Sequence, residues 1–315
     1  MDLRGGNDIW LNFKDERSGF DKSKSLLLFF RYTDLYSQEA VAFMNRLWET
    51  YERKGIKMLG VHLPEFSFEE DYQNVKNAIN VMGIKWPVYL DNRAKVSSSF
   101  GVRTIPDFQL YDKSGQLLKE HIRAGYFGEI QEGINEILNL NEKIIESHEH
   151  TKDCIRPTKP VYLGYKRGGM TLSGDFINRS ADFGLPEVIA EGSVGLNGKF
   201  IVTENYAESK QKGAEVIVGF KAKVSACVAT SSKGESRLKL YVNGKNPDSD
   251  GEGVPGDGVV KIEAPGLYYL VSGKKQDGHM KLELIDGGVR FFKFMFSGCV
   301  RENIEDKIIK GGEDN

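Results

Sequence analysis

The sequence predicts an α/β domain built on a mixed sheet, followed by an all-β sandwich. Three observations lead there. Across the first 140 residues, short apolar runs alternate with stretches of helical periodicity, as strands and helices do in α/β folds. A hairpin then breaks that alternation, which makes the sheet mixed. From Val161 onward the texture changes to short alternating runs divided by Gly-rich turns, the pattern of a β-sandwich.

At 315 residues the chain has room for two cores. Hydrophobic residues make up 40% and charged ones 28%, ordinary for a globular protein. A net charge of -2 carries no basic excess of the kind nucleic-acid binding needs. No apolar stretch is long enough to span a membrane. The opening Met1-Asp2-Leu3-Arg4-Gly5-Gly6 lacks the layout of a signal peptide, so the expected compartment is cytoplasmic. The cysteines, Cys154, Cys227 and Cys299, are too widely spaced to imply a metal cage, and no cofactor is expected.

Taken in order, residues 9–13 (Ile9-Trp10-Leu11-Asn12-Phe13) form a short apolar anchor that reads as an edge strand. Five consecutive apolar residues, Leu26 to Phe30, suit a strand buried on both faces. After a polar turn, residues 37–54 place Val41, Met44, Leu47, Trp48 and Tyr51 on one helical face, closed by Gly55. Residues 56–63 read as a second buried strand ended by Pro64. A helix is expected over 67–82, a strand over 86–90 and a short helix over 94–100. The turn Asp112-Lys113-Ser114-Gly115 joins strands at 108–111 and 117–122, and a helix over 126–140 closes the domain. The charged stretch 141–160, ending in Arg156-Pro157-Thr158-Lys159-Pro160, reads as a linker. Sandwich strands are expected at 199–204, 214–221, 238–242, 267–271, 281–285 and 289–296. They end at 299, before a charged tail over 300–315.

Buried strand, tight turn and long helix, with Gly60-Val61-His62-Leu63-Pro64-Glu65-Phe66-Ser67-Phe68-Glu69 and Gly83-Ile84-Lys85-Trp86-Pro87-Val88-Tyr89-Leu90-Asp91-Asn92 downstream, resembles the thioredoxin-like domain of DipZ and TlpA-type proteins. The second half resembles the DipZ C-terminal domain, a jelly-roll-like sandwich similar to carbohydrate-binding modules. Its carriers include Val161-Tyr162-Leu163-Gly164-Tyr165, Leu196-Asn197-Gly198-Lys199-Phe200 and Gly266-Leu267-Tyr268-Tyr269-Leu270-Val271. The resemblance implies a thioredoxin-like domain over 1–140 and a sandwich over 161–299. Relatives of this family are often extracytoplasmic.

The family's chemistry needs a thiolate at the helix N-terminus and a second thiol to resolve the mixed disulfide. Here the turn reads Thr33-Asp34-Leu35-Tyr36-Ser37, with Asp34 and Ser37 in the cysteine places. Neither can exchange disulfides, and an aspartate there is expected to cap the helix. Pro106, after Ile105, falls where the family carries a cis-proline facing the motif; the backbone beside it would pair with an extended peptide. In jelly rolls the first and last strands often lie side by side, which would make Cys154 and Cys299 neighbours.

Four further groups invite chemistry. His62 with Glu65 suggests an acid–base pair, although a lone histidine at a strand end is more often structural. His148, His150 and Cys154 offer three metal-type ligands without a fourth. Asp248-Ser249-Asp250-Gly251-Glu252-Gly253 opens like a calcium loop, but Val259 stands where its closing glutamate belongs, so a solvated acidic turn is expected. Tyr162, Tyr165, Tyr206, Tyr268 and Tyr269 offer a sugar-stacking face, or packing. The reading is a redox-inactive thioredoxin-like module that binds a protein or glycan partner. The alternative is a thiol–disulfide oxidoreductase or peroxiredoxin-type antioxidant using an unconventional cysteine, although every cysteine follows the thioredoxin-like domain.

Overall fold

The structure, a computed structural model, describes residues 10–12, 22–120, 127–144, 154–167, 177–247 and 257–299. The chain divides into two compact units between residues 150 and 151.

The first unit is a six-stranded mixed sheet in the order β1 (Trp10–Leu11), β4 (Val88–Leu90), β3 (Lys57–His62), β2 (Ser25–Phe30), β5 (Asp107–Tyr111) and β6 (Leu117–Glu120). Every residue of β2 is buried, because it runs parallel to β3 on one side, antiparallel to β5 on the other, and is covered on both faces. Leu26, Leu28 and Phe30 face a core with residues of α1 (Leu35–Tyr51), α2 (Tyr72–Val81) and α4 (Gly128–Leu138). Leu27 and Phe29 face a smaller core with Val96 of α3 (Lys95–Ser99) and Phe100.

Several boundaries differ from the sequence reading, each for a local reason. The helix expected from Ser37 begins at Leu35, because Asp34 caps it and makes Ser37 its third residue. The helix expected over 67–82 is two pieces. A 3₁₀ turn over Ser67–Glu70 precedes α2, and extended Asp71 between them accepts from the N–H groups of Gln73 and Asn74. The last helix ends at Leu138, where Asn139 turns left-handed at φ 54°.

The expected linker is narrower than 141–160. Its first residues pack on the first unit: Gln131 Nε2 donates to the Lys143 carbonyl and Asn135 Nδ2 to that of Glu142, both at 2.9 Å. Tyr51 Oη supports Asn135 at 2.7 Å. Its last residues belong to the second unit, where the Thr158 N–H donates to the Lys221 carbonyl at 2.9 Å. The tail over 300–315 lies outside the described residues.

The second unit is wholly antiparallel among its named strands. These are β7 (Val161–Tyr162), β8 (Ser180–Phe183), β9 (Val194–Val202), β10 (Ala207–Ser209), β11 (Glu215–Ser231), β12 (Ser236–Val242), β13 (Val259–Ile262), β14 (Gly266–Leu284) and β15 (Val289–Ser297). The expected strands at 267–271 and 281–285 are one strand, β14. It stays paired to β11 through register shifts at Ala222–Val224 and Ser225–Ala226, which let a long pair bend without breaking. The early half of β11 pairs with β9 and the late half with β15; β15 pairs with β10, and β10 with β9. Four strands therefore close a circuit, which leaves no free edge among them. The layers surround one core that includes Phe200, Phe220, Phe291, Phe294 and Phe296.

Gly60 of β3 lies against the Trp86 indole, which is fully buried and donates to Asn45 Oδ1 at 2.8 Å. A methyl there would collide with that ring and press on Phe30. Gly60→Ala should therefore cost roughly 1–3 kcal/mol of overpacking strain, read as a lower denaturation midpoint at unchanged slope. An unshifted midpoint would mean that the tryptophan moves freely.

Candidate functional site

The candidate site lies where β2 ends and α1 begins. An apolar strand must end in a turn, and the next helix starts with free N–H groups. Asp34 takes extended backbone (φ −103°, ψ 124°), and its Oδ1 accepts from the Ser37 N–H at 2.8 Å. Ser37 Oγ turns back to accept from the Arg31 N–H at 3.3 Å, and Gln38 Nε2 donates to the Tyr32 carbonyl at 2.9 Å. Thr33, Asp34, Leu35 and Ser37 are buried, while Tyr36 is partly exposed. The helix end that would lower a thiol's pKa instead faces a carboxylate.

The Ile105–Pro106 bond is cis. Phe29 pairs with Asp107, so Pro106 lies at the same sheet end as the β2–α1 turn. No hydrogen bond joins the Ile105 backbone to another described residue. Behind it, buried Gln109 bridges the Phe100 carbonyl at 3.0 Å and Asp107 Oδ2 at 3.2 Å, and accepts from Tyr111 Oη.

Sequence reasoning missed the polar cluster beneath the turn. Fully buried Glu69 accepts the Thr33 hydroxyl on Oε1, and on Oε2 the N–H groups of Glu65 (2.6 Å) and Phe66 (2.8 Å). Arg31 stands 3.8 Å from Glu69, pairs with Glu65 at 3.0 Å, and donates to the Leu63 carbonyl. Burial pushes the Glu69 carboxyl up; Arg31, Thr33 and the two N–H groups oppose that shift. The available signal was spacing. A glutamate three residues into a helical turn reaches back to the first N–H.

The His62–Glu65 pair weighed against a structural histidine does not form, and Glu65 is engaged by Arg31. His62 is fully buried, stacked on Tyr32 at 5.4 Å and edge-on to Phe30. Neither ring nitrogen has a hydrogen-bond partner among the described residues. Burial, with Arg31 nearby, pushes its pKa down to about 3, so it stays neutral and is no base at ordinary pH.

The other candidates separate. His148 and His150, and the acidic run 248–253, lie outside the described residues. No group of metal-type ligands forms among those that are described. The tyrosines named above have varied surroundings. Arg167 and Lys293 stand over the Tyr162 ring, Arg290 over Tyr206, and Tyr268 packs against the core. Cys227 is buried in β11 with its thiol pushed up to about 12, chiefly by burial, which removes it as a nucleophile. Cys154 and Cys299 form a disulfide.

Sheet, capped helix and cis-proline define the first unit as thioredoxin-like. Comparison with known proteins agrees. Residues 158–297 match the model of the thioredoxin-like C-terminal domain family. Protein DipZ of Mycobacterium tuberculosis is 25% identical over 209 residues, 63% of this chain. That match spans only 30% of DipZ's own length. The thiol-disulfide oxidoreductase YkuV of Bacillus subtilis is 24% identical over 140 residues, covering 44% of this chain and 93% of YkuV. The thiol-disulfide oxidoreductase ResA of Bacillus anthracis is 29% identical over 85 residues, 27% of this chain and 46% of ResA. The solution structure of an oxidised thioredoxin-like protein aligns with 44% of this chain and 94% of its own, at 22% identity and a TM-score of 0.39.

The chain is similar to a group of thioredoxin-like proteins that includes the thiol-disulfide oxidoreductases ResA and YkuV, and its residues 158–297 match the thioredoxin-like C-terminal domain family. These relatives lend no support to a carbohydrate-binding or a redox-inactive role; ResA and YkuV are themselves named as thiol-disulfide oxidoreductases.

Two predictions follow from the buried groups. A histidine whose pKa is depressed on folding contributes stability above its unfolded value near 6.5, and that contribution is lost as pH falls towards 3. His62→Phe should flatten the acid limb of stability between pH 6 and 4; an unchanged limb in urea melts at stepped pH would show that His62 does not set it. Glu69→Ala removes the acceptor of the Thr33 hydroxyl and of the Glu65 and Phe66 N–H groups, and should cost roughly 2–4 kcal/mol. Glu69→Gln, retaining one acceptor oxygen, should lose less in the same melts.

Proposed function

We propose that this chain is a protein-binding member of the group, holding an extended polypeptide at the β2–α1 turn and the cis-proline without exchanging disulfides there. The observation that carries this reading is Asp34 as helix cap: a carboxylate holds the position exchange reserves for a thiolate. The Ile105 backbone, unengaged among the described residues, supports pairing with an extended chain, and partly exposed Tyr36 belongs to α1 at the same sheet end. The partner in this reading is a protein rather than a glycan. No helix among the described residues is long and apolar enough to cross a membrane. A disulfide in the folded chain favours an oxidising compartment over the cytoplasm.

A second reading is favoured by the names of the relatives and by the Cys154–Cys299 disulfide: exchange with protein substrates through cysteines outside the thioredoxin-like unit.

The first reading is tested with carboxymethylated insulin B chain, an unfolded polypeptide without thiols, followed by fluorescence anisotropy. Saturable binding should weaken about tenfold, near 1.4 kcal/mol, in Ile105→Arg and Tyr36→Ala. Equal binding by both variants, or none by the native chain, would refute a groove at this turn.

A further inference from the structure

We propose that Cys154 and Cys299 form the exchange site of this protein, a disulfide that opens and closes reversibly in the folded chain. This rests on the second reading above and names its site.

The first argument is elimination by burial. Cys227 is sealed in β11 as a thiol, whereas Cys154 and Cys299 are both partly exposed, in segments outside regular strands. Exchange needs a thiolate to reach a sulfur in line with the bond it breaks, and among the three cysteines only this pair admits one.

The second argument is that the two backbones are held together without the sulfur bridge. The Ile155 N–H donates to the Gly298 carbonyl at 3.0 Å. Gly298 lies so close to the Ile155 carbonyl that a Cβ there would strike it. Cys299 is fixed by Ser297, whose hydroxyl accepts its N–H at 3.3 Å and stands 3.2 Å from its carbonyl. A few residues on, β7 pairs with β15 at Val161–Phe294 and Tyr162–Lys293. The Cα atoms are 4.7 Å apart, inside the range a bridge spans. Opening the bond therefore leaves two thiols face to face, at the high effective concentration that makes reclosure intramolecular.

The co-reactant is a dithiol. One of its thiolates attacks either sulfur of the pair, the Cys154–Cys299 bond breaks, and the departing thiolate takes a proton. The second thiol of the reductant then displaces the mixed disulfide. The dithiol leaves as a disulfide, and two electrons and two protons stay on Cys154 and Cys299. Run backwards, the same steps oxidise a substrate dithiol.

The test uses the full oxidised chain in graded ratios of reduced to oxidised dithiothreitol, without denaturant. Samples are acid-quenched and labelled with a maleimide for mass spectrometry, with tryptophan fluorescence followed in parallel. Expected is joint labelling of Cys154 and Cys299 with one midpoint, an unchanged native spectrum, protected Cys227, and reclosure once reductant is removed. The proposal is overturned if the pair becomes labelled only where the fluorescence reports unfolding, since the bridge is then a brace. Insulin reduction by the native chain, driven by dithiothreitol, should fall to background in Cys154→Ser/Cys299→Ser. Turnover that persists in that variant would overturn this site while leaving exchange itself standing.

Discussion

The structure of the first unit depends on covering β2 on both faces. Five apolar side chains without exposed surface require a core above and a core below, each side chain contributing about 1.5–3 kcal/mol of burial. That requirement sets β2 between β3 and β5 and brings helices to both faces of the sheet. It also decides where chemistry is possible. A strand so enclosed offers polar groups only at its end, where the turn carries Arg31, Thr33 and Asp34.

At that end the decisive feature is what satisfies the helix N-terminus. The free N–H groups favour negative charge. A Cys-x-x-Cys protein uses that preference to hold a thiolate, while here the Asp34 side chain accepts the Ser37 N–H. Beneath it, Arg31, Thr33, Glu65 and Glu69 form a second polar layer that a low-dielectric interior tolerates only when its members pair. Together these layers leave the turn without sulfur and with its buried polar groups paired.

The second unit solves a different problem. Strands leave edges, and the circuit through β11, β15, β10 and β9 closes by pairing β11 with β9, so that none of the four ends the path. The ends of this unit are then tied at one place, by Ile155 against Gly298 and by the disulfide beside them. The two bridged cysteines thus sit at the seam of the β domain and not at a helix N-terminus.

The sequence alone determined the local features. Apolar runs and helical periodicity marked β2, β3, α1 and α4 within a few residues, because those patterns reflect burial along the element itself. Asp34 as a cap was legible for the same reason, since its partner Ser37 is three residues away. The glycine stop at Gly55 was legible too, whereas Asn139 as the stop of α4 was not. What the tertiary structure decided were meetings between distant residues: Thr33 with Glu69, Arg31 with Glu65 in place of His62 with Glu65, and β14 as one strand instead of two. These follow from register and from which faces pack together. Alternation along a strand says which side chains face inward, but which distant residues meet there depends on how the elements pack on one another.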